Sequence, residues 1–234
     1  METTIRKQFC GPTSSGHGGY TGGILAHYLK DTAEVTLLKP IPLEKDLLIK
    51  KKSKNRVDLL DGETLIAFAE TTQFQLEIPA PPSYLEAVQA SKKYIGFDKE
   101  YPYPECFGCG RNRKLGDGLR IFPGKLKENN MVAAPWIPNE DLQDGSGKIK
   151  SEFLWAVLDC PGGIACVGDQ IHPLLLGKFA VEIKEAPKAN QRCVVIGWQI
   201  AQEGRKHFAG TALYSEEGIP LAYGKAIWIQ PRSQ

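Results

Sequence analysis

Two segments with similar sequences constrain the fold of this chain more than any other feature. Residues 14–29 read SSGHGGYTGGILAHYL and residues 153–168 read FLWAVLDCPGGIACVG, so a glycine pair leading into a short apolar run recurs after about 140 residues. Such a pattern is typical of a helix that packs so closely on another backbone that a side chain would obstruct it. β-rich sequence follows each copy. The repeat therefore predicts two copies of one structural unit, each with a helix and a sheet.

The composition excludes several classes of protein. The 234 residues carry a formal net charge of +2 at pH 7, which provides no general attraction to nucleic acid or to an anionic membrane. No apolar run is long enough for a transmembrane helix, and METTIRKQF lacks the apolar core of a signal peptide. The six cysteines are widely spaced, as expected for reduced thiols. We therefore expect a soluble, cytoplasmic protein that binds neither nucleic acid nor a membrane.

Each half of the sequence predicts one helix followed by an antiparallel meander. We expect the first helix at about residues 20–30, and strands within residues 35–78 with a hairpin turn at Asp61-Gly62. The second helix is expected at residues 151–167, followed by strands in CVVIGWQIA, HFAGTALYS and LAYGKAIWI. A helix wrapped by a curved antiparallel sheet, occurring twice, would bury both helices in a common core.

A proline-rich segment separates the two halves. It begins with IPAPPSY, ends with EYPYPE, and contains too many prolines for the interior of a sheet, although its middle, residues 84–94, is compatible with a helix. We therefore divide the chain into a first repeat over residues 1–80, a connector over residues 81–104 and a second repeat over residues 105–234.

These features resemble the hotdog-fold acyl-CoA thioesterases, and specifically the double-hotdog, thioesterase II-like type. The resemblance rests on His17-Gly18-Gly19 with Gly22-Gly23, on VTLLKPIPL, and on Asp159 ahead of Gly162-Gly163. It implies an α+β double hotdog, in which two repeats each wrap a curved antiparallel β-sheet around a central helix. It also implies an acyl-thioester substrate such as an acyl-CoA and no cofactor apart from the CoA of the substrate, and it is compatible with a homodimer.

Hydrolysis of a thioester needs a base that activates water and donors that stabilise the oxyanion. Asp159 is the candidate base because it follows six apolar residues, FLWAVL, which would disfavour its charged form. The sequence is equally compatible with Asp159 as a helix cap or turn residue before Pro161. The backbone N–H groups of Gly18, Gly19 and Tyr20 are the candidate oxyanion donors, since a helix N-terminus presents unpaired donors and the positive end of a dipole.

His17 is the candidate assisting residue, either as a donor to the substrate carbonyl or as a support for the loop. A purely structural histidine in a Gly-Ser turn is the alternative. Gly162, Gly163 and Trp155 are candidate substrate-binding residues, and Trp155 belongs to a set of aromatic residues that suggests an apolar tunnel.

The resemblance leaves one part of the family's chemistry unmatched. Among double-hotdog thioesterases that use an Asp, Thr and Gln set, Asp159 lies near the expected aspartate, but Lys225 stands near the place of the glutamine. A dehydratase of this fold would need a histidine five residues after Asp159, where this chain has Ile164.

Cations that could contact the phosphates of CoA occur in two places. Lys50, Lys52, Lys54 and Arg56 alternate along a predicted strand, so all four would lie on one face, either against a nucleotide or in solvent. Arg111, Arg113 and Lys114 at the start of the second repeat are an equal alternative.

Cys106 and Cys109, in CFGCG, are spaced as in a zinc knuckle. A tetrahedral structural site needs two further ligands, and the sequence has no second C-x-x-C. Cys10, Cys160, Cys166, His172 or His207 could complete such a site only through the fold. We therefore expect ordered loop thiols and no metal.

The sequence thus predicts hydrolysis of an acyl thioester through Asp159 and the Gly18 and Gly19 amides, assisted by His17. Two alternatives remain open. One is a non-catalytic protein that binds acyl thioesters or small apolar ligands in the same groove, and the other is a structural scaffold that assembles through its sheet edges.

Overall fold

The computed structural model describes residues 1–127, 130–168 and 171–232. Its α-helices are α1 (Gly18–Ala26), α2 (Tyr84–Ser91) and α3 (Ser151–Val167). The strands are β1 (Glu2–Thr4), β2 (Ala33–Leu37), β3 (Asp46–Ser53), β4 (Arg56–Asp61), β5 (Thr64–Thr71), β6 (Gly124–Lys125), β7 (Met131–Trp136), β8 (Leu175–Ile183), β9 (Cys193–Glu203), β10 (Lys206–Ser215) and β11 (Pro220–Ile229). None of the described helices is long and apolar enough to cross a membrane.

All these strands belong to one antiparallel sheet, in the order β1-β3-β4-β5-β2-β8-β11-β10-β9-β7-β6. The strands of the first half and those of the second half meet at the β2–β8 pair, where Val35 lies opposite Phe179. Helix α1 packs on β2 and β5, α3 packs on β9 and β10, and the two helices pack on each other. The predicted pair of helices, each with its own meander, is therefore confirmed, and the two meanders are joined edge to edge.

The predicted elements of the second half agree closely with the structure. Helix α3 has the predicted bounds, and β9, β10 and β11 contain the three predicted strand segments. In the first half, α1 begins earlier and ends earlier than expected. The Asp61-Gly62 turn joins β4 to β5, with Gly62 at φ +58°. In the connector, α2 packs through Ala87 and Ala90 against a cluster that includes Met131.

The first glycine pair, Gly22-Gly23, lies where the two central helices are in close contact. A Cβ added at Gly23 would lie 2.4 Å from Glu152 Cα, and one added at Gly22 would lie 2.9 Å from Trp155 Cε3. Because the position next to Gly23 is occupied by helix backbone, the expectation of close backbone packing is confirmed for this pair.

The second glycine pair has a different environment. Added Cβ atoms at Gly162 and Gly163 would meet side chains of the sheet, including Thr211 and Trp228, at 3.0–3.3 Å. This pair therefore lets α3 lie close to its own sheet, so the two glycine pairs are similar in sequence but differ in the surfaces that they contact.

The single basic face predicted for residues 50–56 is wrong. Strand β3 ends at Ser53 and β4 begins at Arg56, so Lys54 lies in the turn between them and the four cations do not share a strand. The Ser53 hydroxyl accepts the Asn55 N–H at 3.1 Å, which is a local bond typical of a turn. The alternation of cations does not reveal this turn, because lysine is compatible with both a strand and a turn.

Candidate functional site

The candidate site lies where the start of α1 meets the middle of α3. His17 is the N-cap residue of α1, and Asp159 on α3 points at that end of the helix. The Asp159 Oδ2 atom accepts the Gly19 N–H at 2.6 Å and lies 3.2 Å from His17 Nδ1. Both side chains are buried, with 2% of His17 and 3% of Asp159 exposed. A carboxylate from one helix therefore caps the positive end of the other.

Glycine at position 19 makes this contact feasible. A Cβ there would lie 2.6 Å from the Trp155 carbonyl oxygen and 2.7 Å from Asp159 Cβ. Both separations are well below the ordinary carbon contact distance of about 3.5–4.0 Å. The close approach of α3 thus requires glycine at position 19.

The three predicted oxyanion donors differ in their hydrogen-bond partners. The Gly19 amide donates to Asp159, and the Tyr20 amide donates to His17 Nδ1 at 3.2 Å. Within residues 1–127, 130–168 and 171–232, the Gly18 amide has no hydrogen-bond acceptor. Gly18 also lines the cavity described below. The Gly18 N–H is therefore the predicted donor that is available whichever partner His17 Nδ1 takes.

The two carboxylate oxygens of Asp159 differ in their contacts. Its Oδ2 atom makes the contacts to Gly19 and His17. No hydrogen bond to Oδ1 occurs within the part of the chain that the structure describes. A water molecule or a substrate atom could therefore approach Oδ1 without displacing the cap.

Burial and the Asp159–His17 contact have opposite effects on the pKa values of these two side chains. Burial raises the pKa of the Asp159 carboxyl to about 6, although the charge of His17 and the Gly19 N–H act to lower it. Burial would lower the pKa of His17, but the adjacent Asp159 carboxylate and Cys106 outweigh that effect and raise it to about 9. Since Nδ1 faces both Asp159 and the Tyr20 N–H, it can donate to the first or accept from the second, but not both at once.

A cavity of about 70 Å³ opens beside this pair. That volume is below the usual range of small-molecule sites, about 300–1,000 Å³, and suits one small group of a ligand better than a whole ligand. Its polar side is formed by His17, Asp159 and three thiols, and its apolar side by aromatic and aliphatic side chains. The lining residues include Cys106, Cys109, Cys160, Tyr101, Tyr103, Leu174, Leu175, Leu176 and Trp228. A polar end and an apolar wall would suit a ligand with one reactive group on an apolar body.

The structure brings only some of the predicted site residues to this cavity. Of the described residues, its lining includes His17, Gly18, Asp159 and Gly163, but excludes Gly19, Tyr20, Gly162 and Trp155. It also excludes Lys52, Lys54 and Arg56, as well as Lys225, which is exposed. No glutamine is among the lining residues in the described ranges, so the Asp, Thr and Gln arrangement is not reproduced here.

Two excluded side chains have evident structural roles. Trp155 is 2% exposed and packs edge-on against Phe179, with its ring beside Gly22. Arg56 is paired with Asp58 and Glu70 at 2.8 Å and 2.9 Å. The indole thus belongs to the core, and the guanidinium is already neutralised by carboxylates.

Sequence reasoning did not identify the connector as part of the site. Tyr101 and Tyr103 come from the proline-rich segment and line the cavity. The Tyr103 hydroxyl donates to the Leu174 carbonyl at 3.0 Å, which ties the connector to the chain after α3. Nothing in the local sequence distinguishes these tyrosines from those of an ordinary linker.

Solved structures resemble this chain over its full length. A conserved protein of unknown function with a hot dog fold from Alicyclobacillus acidocaldarius aligns with a TM-score of 0.65 and 9% identity, covering 100% of this chain and 93% of that one. The chain has a double hotdog fold.

Two proteins with thioesterase names share this double hotdog fold. The tesB protein of Mycobacterium avium subspecies paratuberculosis aligns with a TM-score of 0.58 and 12% identity, covering 94% of this chain and 89% of its own. The acyl-CoA thioesterase II TesB2 of Mycobacterium marinum aligns with a TM-score of 0.59 and 11% identity, covering 94% and 92%. No family model matches the sequence, and no curated protein does.

Proposed function

We propose that this protein hydrolyses an acyl thioester, such as an acyl-CoA, in the cavity between α1 and α3. The observation that carries the proposal is a buried carboxylate, Asp159, facing the N-terminus of the opposite helix at the edge of a cavity with an apolar wall. The fold shared with proteins named acyl-CoA thioesterase II supports the choice of substrate class.

In the proposed reaction, the Asp159 Oδ1 atom accepts a proton from water as the water oxygen attacks the thioester carbonyl. The carbonyl oxygen becomes an oxyanion and accepts the Gly18 N–H, whose donor strength is increased by the dipole of α1. Collapse of the tetrahedral intermediate breaks the C–S bond. The departing thiolate takes the proton from Asp159, which restores the carboxylate. His17 would position Asp159 by its contact at 3.2 Å.

Replacement of Asp159 tests the base. We would measure release of free CoA thiol from short, medium, long and aromatic acyl-CoA substrates with the wild type, with Asp159→Asn and with Asp141→Asn. Asp141 is an exposed carboxylate that does not line the cavity, so its change controls for loss of charge. Turnover should fall by at least about 100-fold in Asp159→Asn, as expected for loss of general-base catalysis. Equal turnover in Asp159→Asn and the wild type would remove Asp159 from the mechanism.

Position 18 allows the oxyanion donor itself to be removed. Gly18 is the first helical residue, where proline is well tolerated, and His17 before it has φ −67° and ψ 124°, which proline accepts. Gly18→Pro deletes the N–H, whereas Gly18→Ala adds bulk toward the same neighbours, Leu37 and Leu176, but keeps the N–H. Loss of one such donor costs about 10²–10³ in kcat. Gly18→Pro should therefore be much less active than Gly18→Ala, and equal activities would contradict the assignment.

The alternative is a protein that binds acyl thioesters without cleaving them. It is favoured by the capping role of Asp159, because a carboxylate that only stabilises the helix start would make the same 2.6 Å bond to Gly19. Thermal stabilisation of the wild type by acyl-CoA, without thiol release from any substrate, would support this alternative over hydrolysis.

A further inference from the structure

Three metal-ligand side chains from distant parts of the sequence meet at the wall of the cavity. Cys106 lies in the loop after the connector, Cys160 on α3 and His17 before α1. The two sulfur atoms are 3.7 Å apart, and Cys160 Sγ lies 3.6 Å from His17 Nε2. All three donor atoms lie within 4.8 Å of one another, and all three residues are buried.

The separations match the edges of a zinc tetrahedron. With Zn–S bonds of about 2.3 Å and Zn–N bonds of about 2.0–2.1 Å, tetrahedral angles place two sulfurs about 3.8 Å apart and a sulfur and a nitrogen about 3.6 Å apart. The observed distances of 3.7 Å and 3.6 Å agree with these values. An ion could therefore be accommodated with little movement of these two pairs.

A further buried thiol lies in the same loop. Cys109 lies three residues after Cys106, is 2% exposed and lines the same cavity, although its Sγ atom lies outside the group of three donor atoms within 4.8 Å of one another. The loop turns sharply between the two thiols, with the Gly110 N–H donating to the Cys106 carbonyl at 2.8 Å. A Cβ at Gly110 would lie 2.5 Å from that carbonyl oxygen. The C-x-x-C-G sequence thus forms the compact turn that its spacing suggests.

Gly108 leaves room beside the donors. A Cβ at this position would lie 2.6 Å from Cys160 Sγ and 2.8 Å from His17 Nε2. Any side chain would therefore intrude between the loop and these two atoms. The absence of a side chain at residue 108 is what allows the loop thiols, α3 and His17 to converge.

We propose that the chain binds one Zn²⁺ ion through Cys106, Cys160 and His17, with the Cys109 side chain turning toward the ion as the fourth ligand. With Nε2 on the metal, the ring proton resides on Nδ1 and donates to Asp159, an arrangement in which a carboxylate orients a metal-bound histidine. The three thiols bind as thiolates and release their protons to solvent. Four protein ligands close the coordination sphere, so the ion is structural and links the connector loop to both central helices.

Zinc binding is separate from the proposed hydrolysis, and it can be measured without any substrate. Protein purified without chelator should contain about one Zn²⁺ per chain by elemental analysis, as a structural site requires. Cys160→Ala should lose the metal. Cys166→Ala is the matched control, because Cys166 is a buried cysteine on the same helix and does not belong to the cluster. A wild-type chain that stays metal-free after incubation with Zn²⁺ would overturn the proposal.

The absorption spectrum of the Co²⁺-loaded wild type tests ligation by thiolates, whether or not the variants fold. The wild type loaded with Co²⁺ should show thiolate-to-cobalt charge-transfer absorption and the visible bands of a tetrahedral site. Cys109→Ser should reduce the charge-transfer intensity by about a third, since one of three thiolates is removed. A wild-type spectrum without charge-transfer absorption would contradict thiolate ligation even if every variant failed to fold.

A disulfide is the competing state of the same cluster. The proposal expects all six cysteines to be alkylated after denaturation without reductant, once the metal has been removed by a chelator. A mass showing four alkylated thiols and a Cys106–Cys160 crosslink in freshly purified, metal-free protein would refute zinc binding. Thiol release from acyl-CoA is measured separately, so either proposal can fail while the other stands.

Discussion

Replacing Gly23 by alanine tests the close contact between α1 and α3 on which the site depends. The added Cβ would lie 2.4 Å from Glu152 Cα and 3.1 Å from both Glu152 Cβ and Trp155 Cβ. To restore an ordinary carbon contact of about 3.5 Å, the helices would have to separate by about 1 Å at this point. Such a displacement would also act on the nearby Asp159–Gly19 bond, which spans the same helix pair.

Two effects of opposite sign decide the outcome of Gly23→Ala. Alanine in a helix interior is favoured over glycine by about 1 kcal/mol. Overpacking a close contact costs about 1–3 kcal/mol and more where backbone is involved, as it is here at Glu152. We therefore expect a net loss of about 1–2 kcal/mol in the free energy of unfolding. The urea midpoint should fall by about 0.5–1 M.

The assay is urea unfolding followed by tryptophan fluorescence, with Gly145→Ala as the control. Gly145 has no atom within 4 Å of an added Cβ, so its replacement should change the free energy of unfolding by less than about 0.5 kcal/mol. If Gly23→Ala proved as stable as the wild type or more so, helix propensity would have outweighed the contact. The argument that these helices need glycine between them would then be refuted.

Three further predictions concern the core, the connector and the thiols. Leu154→Ala, at a fully buried position on α3, should lose about 2–5 kcal/mol in urea unfolding, whereas Leu85→Ala, at a position that is 73% exposed, should change stability by less than about 0.5 kcal/mol. Ser83→Ala should remove the capping box of α2, at a cost of about 1 kcal/mol, and speed amide hydrogen exchange in that helix. Burial raises the pKa of both Cys166 and Cys193 to about 12, so their reactive thiolates are scarce below that pH. In the native protein at mildly alkaline pH iodoacetamide should leave both unlabelled, as mass spectrometry would show; rapid labelling of either would contradict their burial.

Local patterns in the sequence were sufficient to predict most of the elements. The apolar run in residues 151–167 predicts α3 because its length and spacing suit a helix with almost every face buried. Asp61-Gly62 predicts a hairpin because glycine readily adopts the positive φ found there. In contrast, the Ser53–Arg56 turn was missed, since its residues carry no glycine or proline and the alternation of lysines continues through it.

The sequence by itself determined the repeat, the α+β class and the residue types that the site uses, because these follow from local spacing and composition. Only the tertiary structure decided which groups face each other. Asp159 and Gly19 are 140 residues apart in the chain, yet they share a hydrogen bond because the two helices pack on one sheet. Cys160 on α3 likewise meets Cys106 of the loop after the connector, which its position in the sequence does not indicate. Contacts across such distances arise from the packing of elements, and no local pattern encodes them.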